Sequence, residues 1–170
     1  GAARALRDRF AKALEIVDQE IQGLDERSSG EMEIFLEALR EKIDGYEREY
    51  GSLENTAGSD ETTRAAEEAG RMLEDLKRVE NDGREVLNAA RDLEERRSAE
   101  EAAARGCREK MSRAAEELKA VLSGRGEKNL VTLESFLAEL ETGIPEFSVE
   151  LRALTNTTGS SDIVRLMQEC

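Results

Sequence analysis

The chain repeats itself, and that constrains its fold more than any single motif. Sliding the 170-residue sequence by 101 positions places 1–69 on 102–170 without a gap, with about three positions in ten identical. Phe35-Leu36 falls on Phe136-Leu137, Leu39 on Leu140, Ile43 on Ile144, Tyr46 on Phe147, Tyr50 on Leu151 and Leu53 on Leu154. Asn55-Thr56-Ala57-Gly58-Ser59 falls on Asn156-Thr157-Thr158-Gly159-Ser160, and Ala2-Ala3-Arg4, Arg7 and Gly23 fall on Ala103-Ala104-Arg105, Arg108 and Gly124. A repeat of this length makes the supersecondary unit the thing to be read. The chain divides into a unit over 1–101 and a partial second unit over 102–170.

Apolar spacing then gives the elements. Ala3, Leu6, Phe10, Ala13, Val17, Ile21 and Leu24 recur at steps of three and four, predicting a helix over about 3–23. Gly23 stands where a glycine past the C-terminus stops a helix. Ser28 followed by Glu31 reads as a capping box, opening a helix over about 30–54 with Met32, Leu36, Leu39, Ile43, Tyr46, Tyr50 and Leu53 on its stripe. Its copy, about 130–155, carries Leu133, Leu137, Leu140, Ile144, Phe147, Leu151 and Leu154. Asn55, Gly58 and Ser59 or Asp60 read as a turn and N-cap.

A third stripe runs through Ala65, Ala69, Met72, Leu76, Val79, Gly83, Val86, Ala90 and Leu93, meets Arg97 and Glu100, and resumes in phase at Ala104, Cys107, Met111, Ala114, Leu118 and Leu122. No proline or cap interrupts it. The reading is one continuous helix over about 60–123, roughly 90 Å long, with Arg97 and Glu100 marking an inter-repeat joint. It supplies the third helix of the first unit (about 60–95) and the first of the second (about 100–123). Glycine costs a helix about 1 kcal/mol, so Asn81-Asp82-Gly83 is where it would break. A short helix over 161–170 completes the series, leaving the second bundle incomplete. The expected fold is all-α: tandem three-helix bundles sharing one long helix.

Composition narrows the function. There are 39 acidic against 25 basic residues, a net charge of −14, no tryptophan and no histidine. Without imidazole there is no His-based nucleophile dyad, no His-containing zinc or haem site and no di-iron Glu-x-x-His motif. So acidic a surface does not bind nucleic acid directly or favour an anionic membrane. No run of 18 apolar residues exists, and no signal peptide is visible at 1–10. The reading is therefore no catalytic residue, no cofactor and no metal, in a reducing cytoplasmic setting.

Other features read structurally. Cys107 and Cys170 align with Leu6 and Ala69 and stand on apolar stripes, so they read as small buried hydrophobes rather than a disulfide framework. Asn156-Thr157-Thr158 matches a glycosylation sequon, but a turn between helices explains it better. Asn81-Asp82-Gly83 is only a fragment of a calcium loop. Pro145, beside Gly143, falls inside the second helix of the second unit and predicts a kink, a candidate flex point.

Three helices, about 100 residues per unit and a helix shared between neighbours resemble the spectrin repeat family. Phe10 and Met111 stand where spectrin-type repeats carry a tryptophan. The approximately 170-residue unit, holding two related sub-units, also resembles the repeats of the giant protein of the trypanosome tripartite attachment complex, which joins the flagellar basal body to the mitochondrial genome. These resemblances imply a structural spacer, cytoskeleton-associated or at the flagellar base. Its partners would be neighbouring copies and other cytoskeletal or attachment-complex proteins. Ile163, Leu166 and Cys170 begin a third helix that Gly1-Ala2-Ala3-Arg4 of a following copy would continue in phase. An unfilled bundle also invites domain-swapped self-association. The alternative is a helical adaptor binding a partner helix in that open groove.

Overall fold

The computed structural model describes residues 1–53, 59–123 and 130–170, apart from the side chains of Asp25, Leu130, Val131 and Thr132. The chain is all-helical: α1 (Ala2–Gln22), a 3₁₀ turn (Leu24–Glu26), α2 (Ser29–Leu53), α3 (Asp60–Leu122), α4 (Leu130–Ala153) and α5 (Ser161–Glu169), with no strand among the described residues. The turn read at Asn55–Gly58 and the match of Gly23 to Gly124 lie outside the described residues.

Each helix end has a local cause. At the start of α2 the Ser28 N–H and hydroxyl donate to the Glu31 carboxylate at 3.0 and 2.7 Å, and the Glu31 N–H donates to the Ser28 hydroxyl at 3.4 Å. This is the reciprocal box that the Ser-x-x-Glu spacing predicts. Those donors hold the Glu31 carboxyl below its usual value. Gly23 departs from expectation. Its φ of −105° is not left-handed, and the chain passes directly into the 3₁₀ turn. The turn buries Leu24, so the α1 stripe ends in the core rather than at a reversed cap.

Two compact units are present, Gly1–Asp92 and Leu93–Cys170, and the boundary falls within α3. In the first, Leu6, Phe10 and Val17 of α1, Leu39 and Ile43 of α2, and Ala69, Leu73 and Leu76 of α3 form one core. The Phe10 and Tyr46 rings stack at 4.6 Å in a tilted arrangement within favourable aromatic range. Tyr50 and Leu53 pack against the same core. A second cluster joins Leu24, Met32, Leu36 and Leu87. On α3, Leu73 and Leu87 are buried although they lie off the stripe read from the sequence, whereas Val86, read as a stripe residue, is exposed. A helix facing two partners buries a broader face than an a/d seam.

α3 does not break at Asn81-Asp82-Gly83. Gly83 is buried, and a β-carbon there would stand 2.7 Å from Leu36 Cδ2 and 3.1 Å from Ile21 Cδ1. The glycine is a packing residue, trading helix propensity for close approach of α1 and α2 side chains.

In the second unit the buried core is Ala104, Ile163 and Leu166, with Leu154 and Met167 packed against it. Met111, Leu140, Phe147 and Leu151 are half-buried. α4 runs without interruption through the exposed Pro145.

Candidate functional site

Among the described residues nothing gathers metal ligands, no polar residue is buried, and no buried side-chain polar atom lacks a partner. The positions that carry information are those where helices meet, and they follow the 101-residue repeat.

Two ion pairs between helices of the first unit have counterparts in the second. Arg7 of α1 reaches Glu68 of α3 at 3.4 Å, and Arg108 reaches Glu169 at 2.6 Å. Arg9 pairs with Glu49 of α2 at 2.6 Å, and Lys110 with Glu150 at 2.9 Å. Both partners of each pair shift by the repeat interval, so the helices in the two units meet in the same register. Exposed pairs of this kind are screened by solvent and add little to stability, so their information is geometric.

A surface groove repeats as well. In the first unit, about 210 Å³ is lined by residues including Ala13, Ile16, Leu39, Lys42 and Tyr46. In the second, about 180 Å³ is lined by residues including Ala114, Glu117, Leu140, Gly143 and Phe147. Each residue of the second set is the repeat counterpart of one in the first. A β-carbon on Gly143 would meet nothing within 4 Å. Gly143 is half-buried, so this glycine is not required by packing.

No protein-family model, no curated protein and no solved structure matches the chain. The internal repeat is therefore the comparison that bears on function.

Sequence reading placed Arg97 and Glu100 together as a joint, and the two differ in their surroundings. Arg97 is exposed on α3, whereas Glu100 is half-buried. The Glu100 carboxylate accepts from the Thr157 N–H and hydroxyl at 2.9 and 2.5 Å and from the Thr158 N–H and hydroxyl at 3.3 and 3.0 Å. It also accepts from the Thr155 hydroxyl at 3.3 Å. Those donors, led by Thr157, lower the Glu100 carboxyl to about 2. Neighbouring Glu101 accepts from the Ser160 hydroxyl at 3.3 Å.

The sequon residue Asn156 is engaged in the same turn. The Ser160 N–H donates to its Oδ1 at 2.9 Å, and its Nδ2 donates to the Ser160 carbonyl at 3.1 Å. Gly159 supplies the positive φ of 67° the turn needs. Glu100 thus ties the α4–α5 connection to α3. Sequence showed a polar residue interrupting an apolar stripe, but not the threonines more than fifty positions away that it holds.

The units differ most on the second helix. Leu36 is 1% exposed and its counterpart Leu137 is 58% exposed; Ile43 is 5% exposed and Ile144 is 59% exposed. Leu133 and Val149 are exposed on α4 as well. In the first unit Leu73, Leu76 and Leu87 of α3 help bury α2, and all three lie beyond residue 69, the last position that the repeat pairs.

Proposed function

We propose that this chain is a structural repeat: tandem spectrin-like three-helix bundles acting as a semi-rigid, extensible spacer in a large cytoskeletal or tethering protein. The observation that carries the reading is the recurrence of both inter-helix ion pairs at the repeat interval, Arg7–Glu68 with Arg108–Glu169 and Arg9–Glu49 with Lys110–Glu150. A sequence that duplicates both core positions and helix register duplicates a mechanical unit. In such arrays stability sums over units and their interfaces. α3 continues through the boundary between the units. Exposed apolar residues on α4 support an array in which a neighbouring copy covers that face. By resemblance, the setting is cytoplasmic and cytoskeletal, with attachment-complex proteins as partners and the link from flagellar basal body to mitochondrial genome as the specific case. Among the described residues, no helix is long and apolar enough to cross a membrane.

The same exposed face of α4 favours a second reading, an adaptor that receives a partner helix. Fusing two copies head to tail distinguishes the two. A spacer gains helicity and thermal stability per residue, because each junction covers apolar surface. An adaptor melts like the single copy, and that result would refute the array.

A further inference from the structure

Cys107 and Cys170 sit where α3 meets α5. Ala104 of α3 packs with Ile163 and Leu166 of α5. One turn further along, Cys107 is buried and Cys170 half-buried, and the adjacent residues Arg108 and Glu169 pair at 2.6 Å. Their repeat counterparts, Leu6 and Ala69, belong to one core in the first unit. Small Ala104, fully buried, lets the two helices approach closely. The Cys170 thiol donates to the Leu166 carbonyl at 3.2 Å, which turns it back along α5, and the Cys107 thiol is among its polar neighbours, with the charges of Arg108 and Glu169.

From this juxtaposition we infer that Cys107 and Cys170 form a reversible intramolecular disulfide that staples α5 to α3. The oxidant is a small-molecule disulfide such as oxidised glutathione. The Cys170 thiolate, the more accessible, attacks one glutathione sulfur, displacing one glutathione thiolate and leaving a mixed disulfide. The Cys107 thiolate attacks the Cys170 sulfur of that bond and displaces the second glutathione. The two protein sulfurs lose two electrons, glutathione disulfide gains them, and the two thiol protons go to the released glutathiones. Burial and the neighbouring Cys107 thiol push the Cys170 thiol up; Glu169 acts in the same direction and Arg108 opposes it. The resting Cys170 thiol is therefore mostly protonated and slow to exchange. The inference needs only the pairing of α3 with α5, so it stands or falls independently of the spacer reading.

The test incubates the fully reduced 170-residue chain at low micromolar concentration with oxidised glutathione, then alkylates free thiols and measures mass. The expected product is a monomer lacking two hydrogens, with neither thiol alkylated and no retained glutathione. It reverts on reduction and melts roughly 10 °C higher in the second unit. In Cys107→Ser the mixed disulfide on Cys170 accumulates instead, because no resolving thiol remains. Cys170→Ala, matching Ala69 at the counterpart position, keeps the fold and leaves Cys107 alkylatable only on unfolding. Two free thiols after oxidation, a stable glutathione adduct on the unmutated chain, or covalent dimers alone would each overturn the assignment.

Discussion

Replacing Gly83 by alanine separates backbone propensity from packing, because the two effects oppose each other at this site. In a helix interior alanine is favoured over glycine by about 1 kcal/mol. Against this, the new β-carbon would lie 2.7 Å from Leu36 Cδ2 and 3.1 Å from Ile21 Cδ1. Carbon atoms prefer about 3.5–4.0 Å, so both methyl groups must retreat by several tenths of an ångström. Leu36 has little room to move, since it is packed among Leu24, Met32 and Leu87. Adding a methyl to a filled core costs about 1–3 kcal/mol. The expected net effect is destabilisation of up to about 2 kcal/mol. Gly45→Ala on α2 is the matched control, because a β-carbon there meets nothing within 4 Å and only the favourable term remains. A domain of this size shifts by about 4–8 °C per kcal/mol, so the midpoints of the two variants should differ by at least about 4 °C, with Gly83→Ala the lower. Circular dichroism melts, with urea denaturation to check that the m-value is unchanged, measure this directly. If Gly83→Ala proves as stable as Gly45→Ala, the close approach of Leu36 and Ile21 to α3 is wrong.

Three further outcomes follow from the same geometry. Phe10→Ala should destabilise the first unit by about 3–5 kcal/mol, whereas Met111→Ala, half-buried at the counterpart position, should cost distinctly less, as chemical denaturation of each variant would reveal. Ser28→Ala removes one half of the capping box and should cost about 1 kcal/mol; addition of Glu31→Gln should then cost little more, which a double-mutant cycle checks. The Glu100 carboxyl is depressed from 4.5 to about 2 in the fold. Its contribution is therefore complete above the ordinary value and lost as pH falls through the folded one. Acid titration of the unmutated chain and Glu100→Gln should give stabilities that differ near neutrality and converge at the acid end; parallel curves would refute the threonine clamp.

Helix boundaries were readable because their determinants are local. Apolar steps of three and four, the Ser28–Glu31 box and the absence of proline from 60–123 act over a turn or two, and the five helices begin and end within about two residues of expectation. What depended on distant partners was not readable. Leu73 and Leu87 were absent from the α3 stripe, because a heptad seam assumes one partner and this segment packs on both α1 and α2. Gly83 read as a weak point because its benefit lies in Leu36 and Ile21, far away in sequence. Glu100 read as a joint for the same reason. The cysteine pair was closer to being legible: once the repeat places Cys107 on Leu6 and Cys170 on Ala69, a contact in one unit predicts the same contact in the other.

The repeat also acts as an internal control on burial. Leu36 and Leu137 are the same residue at the same position of equivalent helices, as are Ile43 and Ile144, yet one of each pair is buried and the other is not. Residue type and place on the apolar stripe are common to both members, and Leu137 lies well away from the Gly143–Pro145 substitutions that flank Ile144, so the difference lies in what packs against them. In the first unit that partner includes the segment of α3 bearing Leu73, Leu76 and Leu87. Covering a leucine or isoleucine side chain stabilises by about 1.5–3 kcal/mol, so a partner burying Leu137 and Ile144 alone would gain several kcal/mol before its own ordering cost. That partner needs apolar residues at helical spacing matching those three, with a small residue where Gly83 admits Leu36. A helix that stabilises the second unit while carrying a large side chain at the Gly83 position would therefore be docking in a different register, and the equivalence between the units would not extend to their third helix.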